Sequence, residues 1–311
     1  MNYSKALDIA IQRCGDNYID EWQRFYHIYP FTTENISGFI KYFDLKDKSL
    51  LTVGSSCDQV LNAILMDAKS ITLLDVNPFV KYYYYLKVAA IIELNMDEYL
   101  LFMRYKDYPI VFKDNIDVFN KETFDKIVPV LRLLDYESYL FWDDLFQMYA
   151  PIVVRKKLFS NDENRDSIIK QCNPYLKNDA LYNQLRGKIL SIKPIFIKGN
   201  IREVNITNKY DNIWFSNIFT NGYTLEKIKE ICIKYNKCLN DGGMMLISYL
   251  YDTTKKTEFQ NDWCDIYNLD VIFNILGDYD PELKTFTGVK GFLFEDSKYK
   301  RDSVLIYKKK K

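Results

Sequence analysis

A single glycine set among small polar residues, Gly54-Ser55-Ser56-Cys57-Asp58, ends one apolar run, and a carboxylate, Asp75, ends the next, 21 positions after Gly54. Glycine adopts dihedrals closed to other residues and has no side chain to block a ligand from the backbone. Backbone N–H groups after such a turn, at the start of a helix, receive a carboxylate or a phosphate. A carboxylate about 20 residues further on accepts hydrogen bonds from both hydroxyls of a ribose. Gly54, Ser55, Ser56 and Asp58 are therefore candidates for the polar end of a nucleoside ligand, and Asp75 for its ribose. Asn77 stands ready to add a ribose or adenine contact.

The glycine pattern narrows the ligand. A GxGxxG fingerprint is absent, which weakens a dinucleotide reading, because a pyrophosphate must lie against that turn. No GxxxxGK[ST] loop exists, so a P-loop is excluded. S-adenosylmethionine carries no phosphate and tolerates a looser turn. Its methionine end would meet Gly54 to Asp58, and its ribose would meet Asp75. An ordinary tight turn in a ligand-free sheet remains the plain alternative.

These residues need strands and helices to hold them. Residues 5–28 read as helical, and Thr32 or Thr33 is expected to cap a second helix reaching Phe43. Ser49–Val53 and Ser70–Leu74 read as strands, with helices over 59–67 and from Pro78 through "FVKYYYYLKVAAIIEL". Residues 97–190 read as mostly helical. Strand signals return at 193–201, 210–219, 242–250 and 302–309, with a further strand expected within 270–300. A helix over "TLEKIKEICIKYNKCL" is expected to close at Asp241-Gly242-Gly243. The alternation predicts an α/β, Rossmann-like, doubly wound, mostly parallel sheet. Its expected parts are an N-terminal helical segment (1–48), two halves of a cofactor-binding domain (49–96 and 193–311), and a helical insertion or cap (97–192).

Further candidates follow from that frame. Ligands sit beyond the carboxyl ends of parallel strands. Asn200, after the third strand, is a candidate for the adenine edge or a plain turn residue. Ser216 and Asn217, after the fourth, fall where the transferred group or an acceptor would lie. His27 is the chain's one histidine and its one candidate imidazole base. Trp142 with Asp143 and Asp144 reads as a packed aromatic beside solvated acids.

Composition sets outer bounds. Lys and Arg together number 42 and Asp and Glu number 42, giving zero net charge in 311 residues. That disfavours a nucleic-acid partner, which needs a basic face. The six cysteines form no CxxC pair, so no structural zinc site is expected. With no signal-like N-terminus and no run of 18 apolar residues, a cytoplasmic location with free thiols is expected.

The stretch 50–94 resembles the class I S-adenosylmethionine-dependent methyltransferase fold. "VGSSCDQVLNAIL" stands at the glycine motif, with Cys57 where a second glycine is usual, and "LLDVNP" at the acidic ribose motif. "YDNIWFSNIF" and "CLNDGGMMLIS" look like that fold's fourth- and fifth-strand motifs. A narrower resemblance, in "GSSCDQVLNAI", "LDVNPFVKYYYYLKVAAI" and "FDKIVPVLRLLDYESYLFWDD", is to S-adenosylmethionine:diacylglycerol 3-amino-3-carboxypropyltransferases. The resemblances imply a transferase of a methyl or 3-amino-3-carboxypropyl group to a small-molecule or lipid-like acceptor. A non-catalytic binder of the same fold and an NAD-dependent oxidoreductase with a degenerate fingerprint stay open.

Overall fold

The run SLLTV forms β1 (Ser49–Val53), and SITLLD forms β2 (Ser70–Asp75). Both bury consecutive residues on both faces, as central strands of a parallel sheet do. The structure, a computed structural model, describes residues 3–15, 26–54, 56–103, 119–160, 166–220, 224–248, 276–277, 279–287 and 301–310. β3 (Ile195–Lys198), β4 (Tyr210–Trp214), β5 (Leu239–Ile247), β6 (Tyr279–Thr287) and β7 (Arg301–Lys309) complete the sheet.

The strand order is β3-β2-β1-β4-β5-β7-β6. β1 to β5 run parallel, and β7 runs antiparallel to both its neighbours. This is the Rossmann-like sheet of the class I methyltransferase type. The chain order reverses between β1 and β4, which register Leu50 on Asn212 and Thr52 on Trp214. That gap is the switch point where such sheets open to ligands.

α1 (Tyr3–Cys14) and α2 (Ile36–Phe39) come from the N-terminal segment, while α3 (Asp58–Leu65) follows β1 and α4 (Val80–Glu93) follows β2. α4 is apolar on every side, the mark of a helix covered all round. Its inner side meets the sheet, where Tyr84 and Tyr85 lie against Phe196 of β3. Its outer side is covered by α6 (Lys121–Leu134) and α7 (Tyr136–Met148). Phe141 stacks on Tyr82 at 4.4 Å, and the Trp142 indole N–H donates to the Tyr82 carbonyl at 3.0 Å. Trp142 is thus wholly buried packing.

The rest of the helical stretch joins the same core. It contains α5 (Met96–Met103), α8 (Pro151–Leu158), α9 (Asp166–Cys172) and α10 (Asp179–Lys188). α8 packs on α1 and α10 on α3. α11 (Leu225–Asn236) covers the opposite face, over Ile213, Phe215 and Tyr307.

Three local expectations are corrected. The first helix ends at Cys14; residues 16–25 lie outside the described residues, and Ile28 is extended, bridging Phe159. The second helix is one turn of α2 continuing as a 3-10 turn to Tyr42, capped by Asn35 rather than by either threonine. Thr32 is otherwise engaged: its hydroxyl accepts from the Glu34 N–H at 3.0 Å. Asp241-Gly242-Gly243 lies inside β5, not at a helix end. There the β4–β5 register shifts, Gly242 takes φ 75°, and a Cβ on Gly243 would sit 2.6 Å from the Asp211 carbonyl. The glycines form a bulge in the strand.

Among the described residues, no helix is long and apolar enough to cross a membrane, and no group of three or more His, Cys, Asp or Glu is placed to hold a metal. Cys57, Cys172, Cys232 and Cys238 are free thiols.

Candidate functional site

The turn after β1 is tight and buried. The Cys57 N–H donates to the Gly54 carbonyl at 2.5 Å, and Cys57 takes φ 64°, a conformation usual for glycine. A Cβ on Gly54 would lie 2.3 Å from Leu73 Cδ2 and 2.6 Å from its Cγ. The room left by the missing side chain is thus filled by Leu73 of β2, so strand packing also demands a glycine at the position expected to admit a ligand. Ser56 is buried, and its hydroxyl accepts from the Asp58 N–H at 3.3 Å. Ser55 lies outside the described residues.

Beneath the turn lies a buried ion pair. Lys87 Nζ stands 2.6 Å from Asp58 Oδ1 and donates to the Ser56 carbonyl at 2.8 Å. Tyr175 donates its hydroxyl to the same Asp58 oxygen at 2.8 Å, and the Thr32 N–H donates to Oδ2 at 2.6 Å. Both charged side chains are 0% exposed. Asp58 therefore fastens the N-terminal segment to α3 through protein donors. Lys87 also lies over the Phe31 and Tyr83 rings, 4.6 and 5.2 Å from their centroids.

Around this buried layer, Val53, Asp75, Val76, Gly199, Asn200 and Asn217 are half-buried at the carboxyl ends of β1 to β4. Asp75 Oδ1 accepts from the Asn77 N–H at 2.8 Å, which fixes the carboxylate at the strand end. The Asn77 side chain donates to the His27 carbonyl at 3.0 Å and accepts from the Phe79 N–H at 2.9 Å. It joins the N-terminal segment to the start of α4. Asn200 Oδ1 accepts from the Arg202 N–H at 2.9 Å, shaping the turn after β3. His27 Nε2 stands 2.8 Å from an Arg13 guanidinium nitrogen, which also donates to the Lys157 carbonyl. A guanidinium only donates, so Nε2 is the acceptor and the ring proton is on Nδ1.

Sequence reasoning missed Glu34. It is 1% exposed and reaches the ends of β4 and β5 from the N-terminal segment. Ser216 donates to its Oε1 and Ser248 to its Oε2, and Gln59 Nε2 donates to Oε1 at 3.3 Å. Ser216 holds its hydroxyl there from a left-handed φ of 60°. Burial pushes the Glu34 carboxyl above the usual range, and the hydroxyl and amide donors, with the nearby Trp214 indole, oppose it. Gln59 Oε1 and Trp214 Nε1 beside it are buried, and neither makes a hydrogen bond of ordinary geometry. The one sequence signal was a single acid in the aromatic run from Trp22 to Phe43.

The raised carboxyl carries a pH consequence. Folded protein holds this proton to higher pH than unfolded chain does, so its contribution to stability is complete below the unfolded value and declines as pH rises through the folded one. Glu34→Gln does not titrate. Wild-type stability minus variant stability, from urea unfolding across pH 4–8, should fall with rising pH at up to about 1.4 kcal/mol per unit. A difference that rises over that range would contradict the assignment.

No family model and no curated protein matches the sequence. Among solved structures, the chain is similar to the glycopeptide N-methyltransferase MtfA complexed with S-adenosyl-L-homocysteine, at TM-score 0.42 and 7% identity over 91% of this chain and 92% of that one. It is similar to the N-methyltransferase NodS from Bradyrhizobium japonicum WM9, also bound to S-adenosyl-L-homocysteine, at 0.37 and 8% over 86% and 80%. A rRNA methylase from Streptococcus thermophilus matches at 0.32 and 9% over 86% and 90%. At these scores the fold assignment rests on the strand order and direction, not on the matches.

Proposed function

We propose that the chain is an S-adenosylmethionine-dependent transferase. The observation that carries this is the placement of Asp75 at the end of β2, one strand from the Gly54 turn of β1, in a sheet ordered β3-β2-β1-β4-β5-β7-β6. The donor set fits the ligand: a half-buried carboxylate for a ribose, and a turn without the glycine fingerprint a pyrophosphate needs. The same absence, with the antiparallel seventh strand, favours this reading over a nicotinamide dinucleotide.

Bound S-adenosylmethionine supplies a carbon already activated by its positive sulfur. The protein has to hold that carbon in line with an acceptor and keep water out. Asp75 takes the ribose hydroxyls, the turn at Gly54–Ser56 takes the methionine end, and Asn200 lies toward the adenine. Asn217 and Ser216 stand at the end of β4, on the side of the transferred group. Asp58 keeps the turn's shape from below. The acceptor is a small-molecule or lipid-like nucleophile. Released S-adenosylhomocysteine would identify methyl transfer, and released methylthioadenosine 3-amino-3-carboxypropyl transfer.

Titration calorimetry tests the reading. Wild-type protein should bind S-adenosylmethionine, and Asp75→Ala should bind at least about tenfold more weakly, having lost hydrogen bonds to a charged group. Wild-type protein that binds NAD but not S-adenosylmethionine would overturn the proposal.

A further inference from the structure

Glu34 has no part in the reading above, yet it occupies the next place along the same edge. Asp75 ends β2, the Gly54 turn ends β1, and the Glu34 carboxyl meets Ser216 after β4 and Ser248 after β5. Adjacent strands lie about 4.8 Å apart, so the three stand in a row across the switch point. Gln59 ties the last two places together, because it follows the β1 turn and donates to Glu34. A ligand with its ribose on Asp75 and its amino-acid end on the β1 turn directs the carbon it gives up toward β4.

Among the described residues, the surroundings of Glu34 hold donors but no counter-ion. Ser216, Ser248 and Gln59 are neutral. The ionisable groups facing it are Asp58 with Lys87, across Thr32, and Cys172, which feels both Glu34 and Asp302. Lys87 is taken up by Asp58. Among the described residues, no cation pairs with Glu34. Among the described residues, two buried polar atoms beside it, Gln59 Oε1 and Trp214 Nε1, also make no hydrogen bond of ordinary geometry. A buried carboxyl left in this state suits a cation brought by a ligand.

We propose that Glu34 is the counter-charge to the sulfonium of the bound donor. A sulfonium beside it favours the ionised carboxyl, and the neutral thioether product that replaces it favours the protonated form. The site thereby distinguishes the charged donor from the spent product. This rests on the reading that S-adenosylmethionine binds at the switch point.

S-adenosylmethionine and S-adenosylhomocysteine share their amine, carboxylate and adenosine and differ by the sulfur's methyl group and the charge it brings, so a difference in proton uptake or release between them reports the charge. Both are titrated into wild-type protein and Glu34→Gln by calorimetry, at several values between pH 5 and 8, in buffers of different ionisation enthalpy. Wild-type protein should release up to one more proton for S-adenosylmethionine than for S-adenosylhomocysteine within that range. Its preference for the charged ligand should grow up to tenfold per pH unit below the carboxyl's ionisation. Glu34→Gln should lose both the extra proton and the pH-dependent preference while still binding S-adenosylhomocysteine. Equal proton release for the two ligands in wild-type protein, which needs no variant to observe, would overturn the proposal and leave the transferase reading standing. Binding of neither ligand would overturn both.

Discussion

Lys87→Met should destabilise the protein by about 3–5 kcal/mol, the usual cost of removing one partner from a buried ion pair. The methionine keeps most of the stem's volume, so the loss is chiefly electrostatic. Lys87 and Asp58 are both 0% exposed, and the ammonium also satisfies the Ser56 carbonyl at 2.8 Å. Without it, among the described residues Asp58 keeps only the Tyr175 hydroxyl and the Thr32 N–H for a charge on a side chain that is 0% exposed. The double variant Asp58→Asn/Lys87→Met removes both charges and should recover part of the loss, because a buried pair replaced as a unit is far cheaper than a broken one. Urea unfolding of the four proteins measures this. A loss below about 1 kcal/mol for Lys87→Met would mean that the pair is not closed off from solvent.

The same variant has a functional side. Asp58 holds the Thr32 backbone, and the Thr32 hydroxyl receives the Glu34 N–H two residues on. Losing the pair loosens the segment that delivers Glu34 to the switch point. Stability and ligand discrimination are therefore expected to fall together in Lys87→Met, whereas Asp75→Ala, on a half-buried strand end, affects binding alone.

What was legible in the sequence follows from the range of the forces involved. β1 and β2 could be read because short apolar runs bounded by turns declare themselves locally, and the spacing of Gly54 and Asp75 spans a single strand–helix–strand unit. The N-terminal segment could not. Its aromatic pattern resembles a helix, but Pro30 accepts from the Tyr83 hydroxyl and Thr32 donates to Asp58, and these long-range bonds hold it extended across the sheet edge. Asp241-Gly242-Gly243 has the local chemistry of a helix end, and pairing with β4 and β7 overrides it. Glu34 was out of reach for the same reason: its two hydroxyl partners are 182 and 214 residues away. The carboxylates a sequence reveals are those at strand ends, while the one enclosed by three distant segments needs the fold.

Gly54→Ala should destabilise the protein by about 1–3 kcal/mol, and Leu73→Ala should remove most of that penalty. The new methyl would lie 2.3, 2.6 and 2.8 Å from Leu73 Cδ2, Cγ and Cδ1. Because the branch atom is among them, a rotamer change alone does not clear the clash, and the strand end has to shift. Leu73 is itself buried at 1% exposure, so Leu73→Ala alone should cost about 2–5 kcal/mol in lost transfer energy and cavity. In Gly54→Ala/Leu73→Ala the alanine methyl enters the space the leucine vacates. The double variant should be no less stable than Leu73→Ala, with a coupling of about 1–3 kcal/mol between the sites. Additivity within about 0.5 kcal/mol in urea unfolding would rule out the contact as the reason for glycine. The cycle also separates the two uses of a glycine turn. If Gly54 serves strand packing, S-adenosylmethionine affinity should return in the double variant along with the strand geometry. If the missing side chain instead makes room for the ligand, the double variant should be stable and still bind poorly, since its alanine remains in the ligand's way whatever stands at position 73.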